Sequence, residues 1–308
     1  MFNQIPNASI AQRNLQIIHK YHNSGLLFGT LRNDYRSMKN QSVTCHWHED
    51  LEFQLVLEGD LDFNLNGTLM KLHAGDCIFV NGNTLHQSFQ KQGSPAAVSL
   101  ITAFHPQIFH QILGEDLYHS YFETFLQHTN GFLIDHTLPC GAKIIKLLQE
   151  LASLDKMQSG YELLYLRQLF SIWYETIQHM KETLDMSHTP DLQKSNSIAV
   201  KRMLAYIYEH YDQKIEIKDL LEDANLSRSE CFRCFKRYIG ISPVEYINNY
   251  RLAKSVLLLA NTDMNILEIS LACGFSSSSY YGKLFKQHYE VSPLAYRKHA
   301  RSPGTNIS

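Results

Sequence analysis

The feature that most constrains this chain is a repeat near its C-terminal end. Phe235-Lys236 recurs as Phe285-Lys286, Ser242-Pro243 as Ser292-Pro293 and Tyr246 as Tyr296, each at an offset of 50 residues. Upstream, Ile217, Leu220, Ala224 and Leu226 match Ile266, Ile269, Cys273 and Phe275 at an offset of 49. Two copies of one supersecondary unit are therefore expected, with one residue inserted early in the later helix of the second copy. In each copy a short amphipathic helix ends at a residue suited to positive φ, Asn225 or Gly274, and another helix follows almost at once. That order is a helix-turn-helix. Ser227-Arg228-Ser229-Glu230 fits a capping box, in which the serine accepts from a free backbone N–H and the glutamate reaches back to the cap. Ser276 or Ser277 caps the second copy.

The later helix of each copy has an apolar side and a polar side. Cys231, Cys234 and Phe235 read as core, as do Leu284 and Phe285, while Ser229, Arg233, Ser278, Ser279 and Lys283 point outward. Arg233 and Lys283 suit guanine O6 and N7 in the major groove, where each base pair shows a distinct pattern of donors and acceptors. Ser227, Lys236, Arg237, Ser277 and Lys286 suit phosphates, which supply affinity rather than sequence choice. Between the copies, Val244 to Leu259 reads as one helix of about 24 Å, at 1.5 Å per residue, that braces the two later helices near one groove repeat of about 34 Å. Its predicted inner face is Tyr246, Ile247, Tyr250, Leu252, Ala253, Val256 and Leu257.

Charge agrees with this placement. The net charge of −2 hides an excess of 4 positive charges over residues 197–308 and of 6 negative charges over residues 1–196. The 6 cysteines are scattered, which reads as reduced thiols, and Cys231-x-x-Cys234 has no second pair to complete a zinc site. No window approaches the roughly 18 apolar residues of a membrane span, and Met1 to Lys20 is polar. A cytoplasmic protein with no membrane partner is the expectation.

The N-terminal half carries a different pattern. Leu51, Phe53, Leu55 and Leu57 alternate with Glu52, Gln54, Val56 and Glu58, and Asn66-Gly67 marks a tight hairpin before strands at Thr68–Leu72, Cys77–Val80 and Ala97–Phe104. Short antiparallel strands of this kind indicate a small barrel or sandwich. After about Pro106 the period becomes helical, and Ile144 to Leu154 with Leu163 to Ile177 read as an antiparallel hairpin. A polar stretch, Asp185 to Asn196, reads as a linker.

On these residues the chain resembles two known families. Phe235-Lys236-Arg237 with Gly240 and Ser242-Pro243, Arg251-Leu252-Ala253, Ile266 to Ile269, Gly274-Phe275, Phe285-Lys286, Ser292-Pro293 and Tyr296-Arg297 together look like the DNA-binding domain of the AraC/XylS regulators. The resemblance adds Phe232 to the base-reading candidates, by contact with a thymine methyl. His46-Trp47-His48, Glu52 and Gly59, followed by His86, resemble the metal-ligand motifs of cupin barrels, although Asn81 and Asn83 stand where proline and glycine are usual. Two imidazole ligands, a carboxylate and a third imidazole suit a first-row ion.

Three readings of His46, His48, Glu52 and His86 stand side by side: a catalytic metal, a non-catalytic metal, or a metal-free effector pocket or simple polar lining. The last is preferred, with no resident cofactor assigned and a divalent ion left open, because a barrel joined to a DNA-binding unit needs to sense rather than turn over substrate. The family resemblance implies a small-molecule effector such as a sugar, a homodimer formed through the hairpin by Ile144, Leu147, Leu151, Leu166 and Trp173, and RNA polymerase as a further partner.

The reading is thus an α+β chain. A cupin-like sensor domain spans residues 1–135, a helical hairpin 136–184, a linker 185–196 and an all-α DNA-binding domain 197–300, with helix-turn-helix units at about 217–238 and 266–289. It is a non-enzymatic, bacterial regulator of transcription that binds double-stranded DNA. The rivals are a metal-dependent cupin enzyme with a DNA-binding tail and a sequence-blind architectural binder.

Overall fold

A computed structural model describes residues 27–38, 41–90, 95–184 and 191–301. The polar N-terminal stretch and residues 185–190 of the expected linker lie outside the described residues. The chain divides into two compact units that meet in sequence at Ser197 and Ile198.

The first unit is built on two antiparallel sheets. Strands β1 (Phe28–Asp34), β8 (Val98–Phe104), β3 (Leu51–Glu58), β6 (Cys77–Val80) and β9 (Gly131–Ile134) form one in that order; β2 (Ser42–His46), β7 (His86–Phe89), β4 (Asp60–Leu65) and β5 (Thr68–His73) form the other. The β4–β5 hairpin turns at Asn66 and Gly67, both at positive φ (48° and 83°), the conformation whose twist matches that of the flanking strands.

Alternation along β3 does not separate a wet face from a dry one. This strand is central in its sheet, between β8 and β6, and both of its faces are buried from Leu51 to Val56. Leu51, Phe53 and Leu55 join one apolar core, while Glu52, Gln54 and Val56 are equally buried on the face between the sheets. Gln54 donates to the Tyr35 hydroxyl at 2.8 Å and to Ser99 Oγ at 2.9 Å, and Tyr35 also bonds Ser88 Oγ at 2.7 Å. Tyr35, Gln54, Ser88 and Ser99 thus partner one another, which offsets their desolvation.

The outer face of the five-stranded sheet offers Phe53, Phe79 and Phe104 to a helical layer. After β8 come the short helices α1 (Gln107–Leu113), α2 (Glu115–Tyr118) and α3 (Thr124–Leu126), then α4 (Pro139–Ala152) and α5 (Tyr161–Thr183), the hairpin anticipated from the periodicity. Trp173 stacks on Phe122 with ring centroids 4.4 Å apart and donates from Nε1 to the Tyr121 carbonyl at 2.8 Å. Ile144, Leu151 and Trp173, which the periodicity suits to core packing and the resemblance offers to a dimer, are buried in the core of their own chain, and Leu147 and Leu166 are half-buried against it. The aromatic sheet face requires that cover.

The second unit is helical. Helix α6 (Asp191–His210) precedes α7 (Ile217–Ala224), α8 (Arg228–Tyr238), α9 (Pro243–Asn261), α10 (Ile266–Ala272), α11 (Ser278–Tyr289) and α12 (Pro293–Arg301). Residues 191–196, assigned to the linker from their polarity, form the first turns of α6. They contain neither glycine nor a β-branched residue, so they propagate a helix whose buried side is Val200, Met203, Leu204 and Ile207. In α9 the buried stripe is Pro243, Ile247, Leu252, Ser255 and Leu259, whereas Ala253 and Leu257, expected inside, are exposed. Ser255 is tolerated there because its hydroxyl donates to the Leu252 carbonyl at 2.7 Å. Leu252 and Leu259 pack with Ile269, Cys273, Phe275, Tyr281 and Phe285 around the second repeat.

Candidate DNA-reading face and barrel centre

Both helix-turn-helix units are shaped by local chemistry. Helix α7 ends at Asn225 with φ 53°, a conformation that asparagine reaches more easily than other residues with a Cβ. The second turn carries Gly274 at φ 76°, and here a Cβ would stand 2.3 Å from the Tyr211 carbonyl oxygen. In the first copy the Ser227 backbone N–H donates to Glu230 Oε2 at 3.0 Å, completing the capping box. In the second, Ser277 rather than Ser276 is the cap, accepting from the Tyr280 N–H at 3.2 Å. Matching the caps corrects one expectation: Ser227 and Ser277 correspond, so the extra residue lies in the second turn, before the recognition helix begins.

Helix α8 buries Cys231, Cys234, Phe235 and Tyr238. The CxxC thiols thus belong to the core, and burial raises both, Cys231 to about 11. Ser229, Arg233, Lys236 and Arg237 are exposed and Phe232 is half-buried. Helix α11 buries Tyr281, which the sequence reading missed, and Phe285, with Leu284 half-buried. Ser279, Lys283 and Lys286 are exposed, and Ser278 is half-buried. The candidate readers of both helices thus reach the surface. Several are already engaged: Ser229 Oγ lies 3.2 Å from Ser227 Oγ, Arg233 lies 3.9 Å from Glu230, Lys236 donates to the Gly240 carbonyl at 2.8 Å and Arg237 lies over the Tyr238 ring.

Two further arginines become visible only in three dimensions. Arg228 opens α8, with its guanidinium over the Phe232 ring, 5.7 Å from the centroid. Arg251 of α9 donates to the Tyr211 and Gln213 carbonyls at 2.7 and 2.6 Å and lies over Phe275, 5.9 Å from its centroid. Arg251 thereby fastens the segment before α7 to the turn of the second unit, and α9, 19 residues and about 28 Å long, spaces the two recognition helices. Arg251 was legible only as part of a family pattern; its bracing role needs the contacts.

In the first unit His46, His48, Glu52 and His86 are all buried, and one ligand atom from each lies within 4.8 Å of the others. They come from β2, the β2–β3 loop, β3 and β7, so both sheets contribute. Asn83, at φ 60°, takes the left-handed conformation usually given to glycine and donates its N–H to the His48 carbonyl at 2.6 Å. Asn81 donates from Nδ2 to the Leu126 and Thr129 carbonyls, both at 2.7 Å. The two departures from the cupin pattern are absorbed without displacing the histidines.

The three imidazoles share one hydrogen-bonding arrangement. Nδ1 faces a backbone carbonyl in each: Thr44 for His46 at 2.8 Å, Asp50 for His48 at 3.0 Å and Thr84 for His86 at 2.8 Å. Donation from Nδ1 leaves Nε2 of each neutral ring as a lone pair. His48 Nε2 then stands 3.1 Å and His86 Nε2 3.8 Å from Glu52 Oε2, and His86 Nε2 has no hydrogen-bond partner. Burial, reinforced by His86 and His48, holds His46 well below the usual histidine range. Burial alone would raise Glu52, but the His48 and His86 imidazoles beside it outweigh that effect and keep it well below the usual carboxylate range. With every Nε2 unprotonated, these acceptors repel one another in a dry space unless a proton or a cation lies among them. Three imidazoles and a carboxylate, each ring oriented by a backbone carbonyl, fit a first-row divalent ion.

Comparison with known proteins agrees with both halves. Residues 220–299 match a helix-turn-helix domain family and residues 35–102 a cupin domain family. The chain is 32% identical over 278 residues to the uncharacterized HTH-type transcriptional regulator YdeC of Bacillus subtilis, covering 86% of this chain and 90% of that one. It is 25% identical over 263 residues to the melibiose operon regulatory protein of Escherichia coli, covering 83% of each. A solved AraC-type regulator structure from Chromobacterium violaceum aligns with 36% of this chain and 99% of its own at 26% identity and a TM-score of 0.34. The chain belongs to the AraC-type helix-turn-helix regulators of transcription, with a cupin domain ahead of its DNA-binding domain. Among the described residues no helix is long and apolar enough to cross a membrane.

Proposed function

We propose that this regulator is controlled by a small molecule recognised in its barrel, and that His46, His48, Glu52 and His86 hold a divalent first-row metal ion as part of that site. The observation that supports it is the convergence of these four buried groups within 4.8 Å, with Nε2 of His86 left without a partner. So tight and dry a set of acceptors disfavours a metal-free pocket. When bound, the ion would supply a Lewis-acid position for an effector oxygen. The protein's own part is to keep each imidazole in the Nδ1–H form through the Thr44, Asp50 and Thr84 carbonyls. The relative named for a melibiose operon supports a sugar or a related hydroxylated metabolite as effector.

In this reading the protein acts as a homodimer in the bacterial cytoplasm, with RNA polymerase as a further partner, and does no catalysis. Base reading falls to Ser229, Phe232, Arg233, Ser278, Ser279 and Lys283, and phosphate contact to Ser227, Lys236, Arg237, Ser277 and Lys286. The test is elemental analysis of purified full-length protein, with operator binding measured with and without candidate sugars. About one metal per chain is expected, lost in His86→Gln, together with loss of the sugar response but not of basal operator binding. Failure to take up any of manganese, iron, cobalt, nickel or zinc in stoichiometric amount would remove the metal from the proposal.

A further inference from the structure

We propose that Arg228 and Phe232 form a single composite reader on α8, taking a guanine and the C5 methyl of the adjacent thymine in the major groove. It rests on the DNA-reading face described above and deepens it from a set of exposed residues to a defined dinucleotide. Positions four apart on a helix share a face, so Arg228, Phe232 and Lys236 make one row along α8. The corresponding row of α11 is Ser278, Gly282 and Lys286. A Cβ at Gly282 would meet nothing within 4 Å, so this row is open where α8 carries a ring.

Three observations single out the pair. First, the Arg228 guanidinium lies over the Phe232 ring, 5.7 Å from its centroid. A guanidinium attracted to a ring in this way keeps N–H groups for other acceptors, which suits Arg228 to a bidentate contact with guanine O6 and N7. Second, Arg228 follows directly on the Ser227 cap, where the helix dipole disfavours a cation, and among the described residues it makes no ion pair. The side-chain contact it does make is with the Phe232 ring, whereas Arg233 has Glu230 and Lys236 has the Gly240 carbonyl. Third, the capping box fixes the very turn that carries Arg228, and it is the N-terminal part of a recognition helix that meets base edges. Phe232, half-buried one turn further on, leaves part of its ring uncovered beside the guanidinium. In the major groove the apolar group available to such a ring is the thymine methyl.

The experiment uses full-length protein. Operators are selected from random duplexes, and each thymine of the preferred sequence is then replaced by deoxyuridine, which removes only the methyl group. Wild type should bind about four-fold more weakly at one thymine, next to a guanine, the value of one buried methyl. Phe232→Ala should bind the thymine and uracil duplexes alike. Arg228→Lys, which keeps the charge, should lose about ten-fold of its preference for that guanine while its unfolding midpoint stays at the wild-type value. The proposal is overturned if every uracil substitution is neutral in wild type, or if Arg228→Lys keeps the guanine preference. Selection that enriches no sequence at all would overturn the DNA-reading face itself, a different and recognisable failure.

Discussion

Helices α8 and α11 descend from one repeated pattern, and comparing them separates what folds a recognition helix from what it reads. Each starts at a serine cap, and each buries a phenylalanine at the same place, Phe235 in one and Phe285 in the other. Their outer rows diverge. Helix α8 shows Arg228, Phe232 and Lys236 beside Ser229, Arg233 and Arg237; α11 shows Ser278, Gly282 and Lys286 beside Ser279, Lys283 and Gln287. The inner sides share only that phenylalanine, Cys231 and Cys234 standing where α11 has Tyr281 and Leu284, because each fills its own close-packed space, whereas the outer side answers only to its partner. One helix shows long, planar and aromatic side chains in these rows, the other short side chains and flexible lysines.

Four measurements break or sharpen this comparison. The largest effects concern the shared framework: Phe235→Ala and Phe285→Ala should each destabilise the folded state by about 3–5 kcal/mol in chemical denaturation. A large loss at one position and little at the other would end the structural equivalence of the repeats.

The two turns should respond unequally to a change of backbone freedom. Gly274→Ala forces a Cβ toward the Tyr211 carbonyl at positive φ and should cost about 1–3 kcal/mol by the same measurement. Asn225→Gly, in a turn that already holds a left-handed residue, should shift stability by less than about 1 kcal/mol.

On the outer side, Arg233→Ala should weaken the selected operator by about 1–3 kcal/mol while sparing random DNA, and Lys283→Ala should lose less discrimination. Gel-shift titrations on both duplexes decide it, and equal losses on operator and random DNA for Arg233→Ala would count against direct readout by α8. The smallest effect is in the salt dependence. Lys286→Ala should reduce the slope by about 0.9, one phosphate contact, and Lys236→Ala by less, because its ammonium already donates to the Gly240 carbonyl. Identical slopes for the two variants would show that this hydrogen bond yields to DNA.

Much of the C-terminal unit was legible in the sequence. Asn225 and Gly274 were marked as left-handed positions and Ser227-Glu230 as a capping box, and each is present as such. These are short-range features, decided within a few residues of chain. The four-residue centre of the barrel was also legible, as a spacing of histidines and glutamate, but its burial and shared hydrogen-bonding form were not. Other readings failed where the deciding neighbour lies far along the chain. Trp173 was a dimer candidate only through the resemblance, since helical periodicity marks an apolar face without naming its cover, which is Phe122 and the outer face of a sheet. Ala253 and Leu257 were placed inside α9, whose buried stripe is narrower than its apolar composition suggests.

The sequence by itself determined the duplication, the caps, the left-handed turns and the identity of the barrel's histidines, since spacing and backbone preference act locally. Only the tertiary structure decided that Glu52 meets His86 from the opposite sheet, that Arg251 ties Tyr211 to the second turn, and that Arg228 rests on Phe232. The first two join residues dozens of positions apart, and the third depends on a side-chain conformation; no local rule states where such atoms will meet.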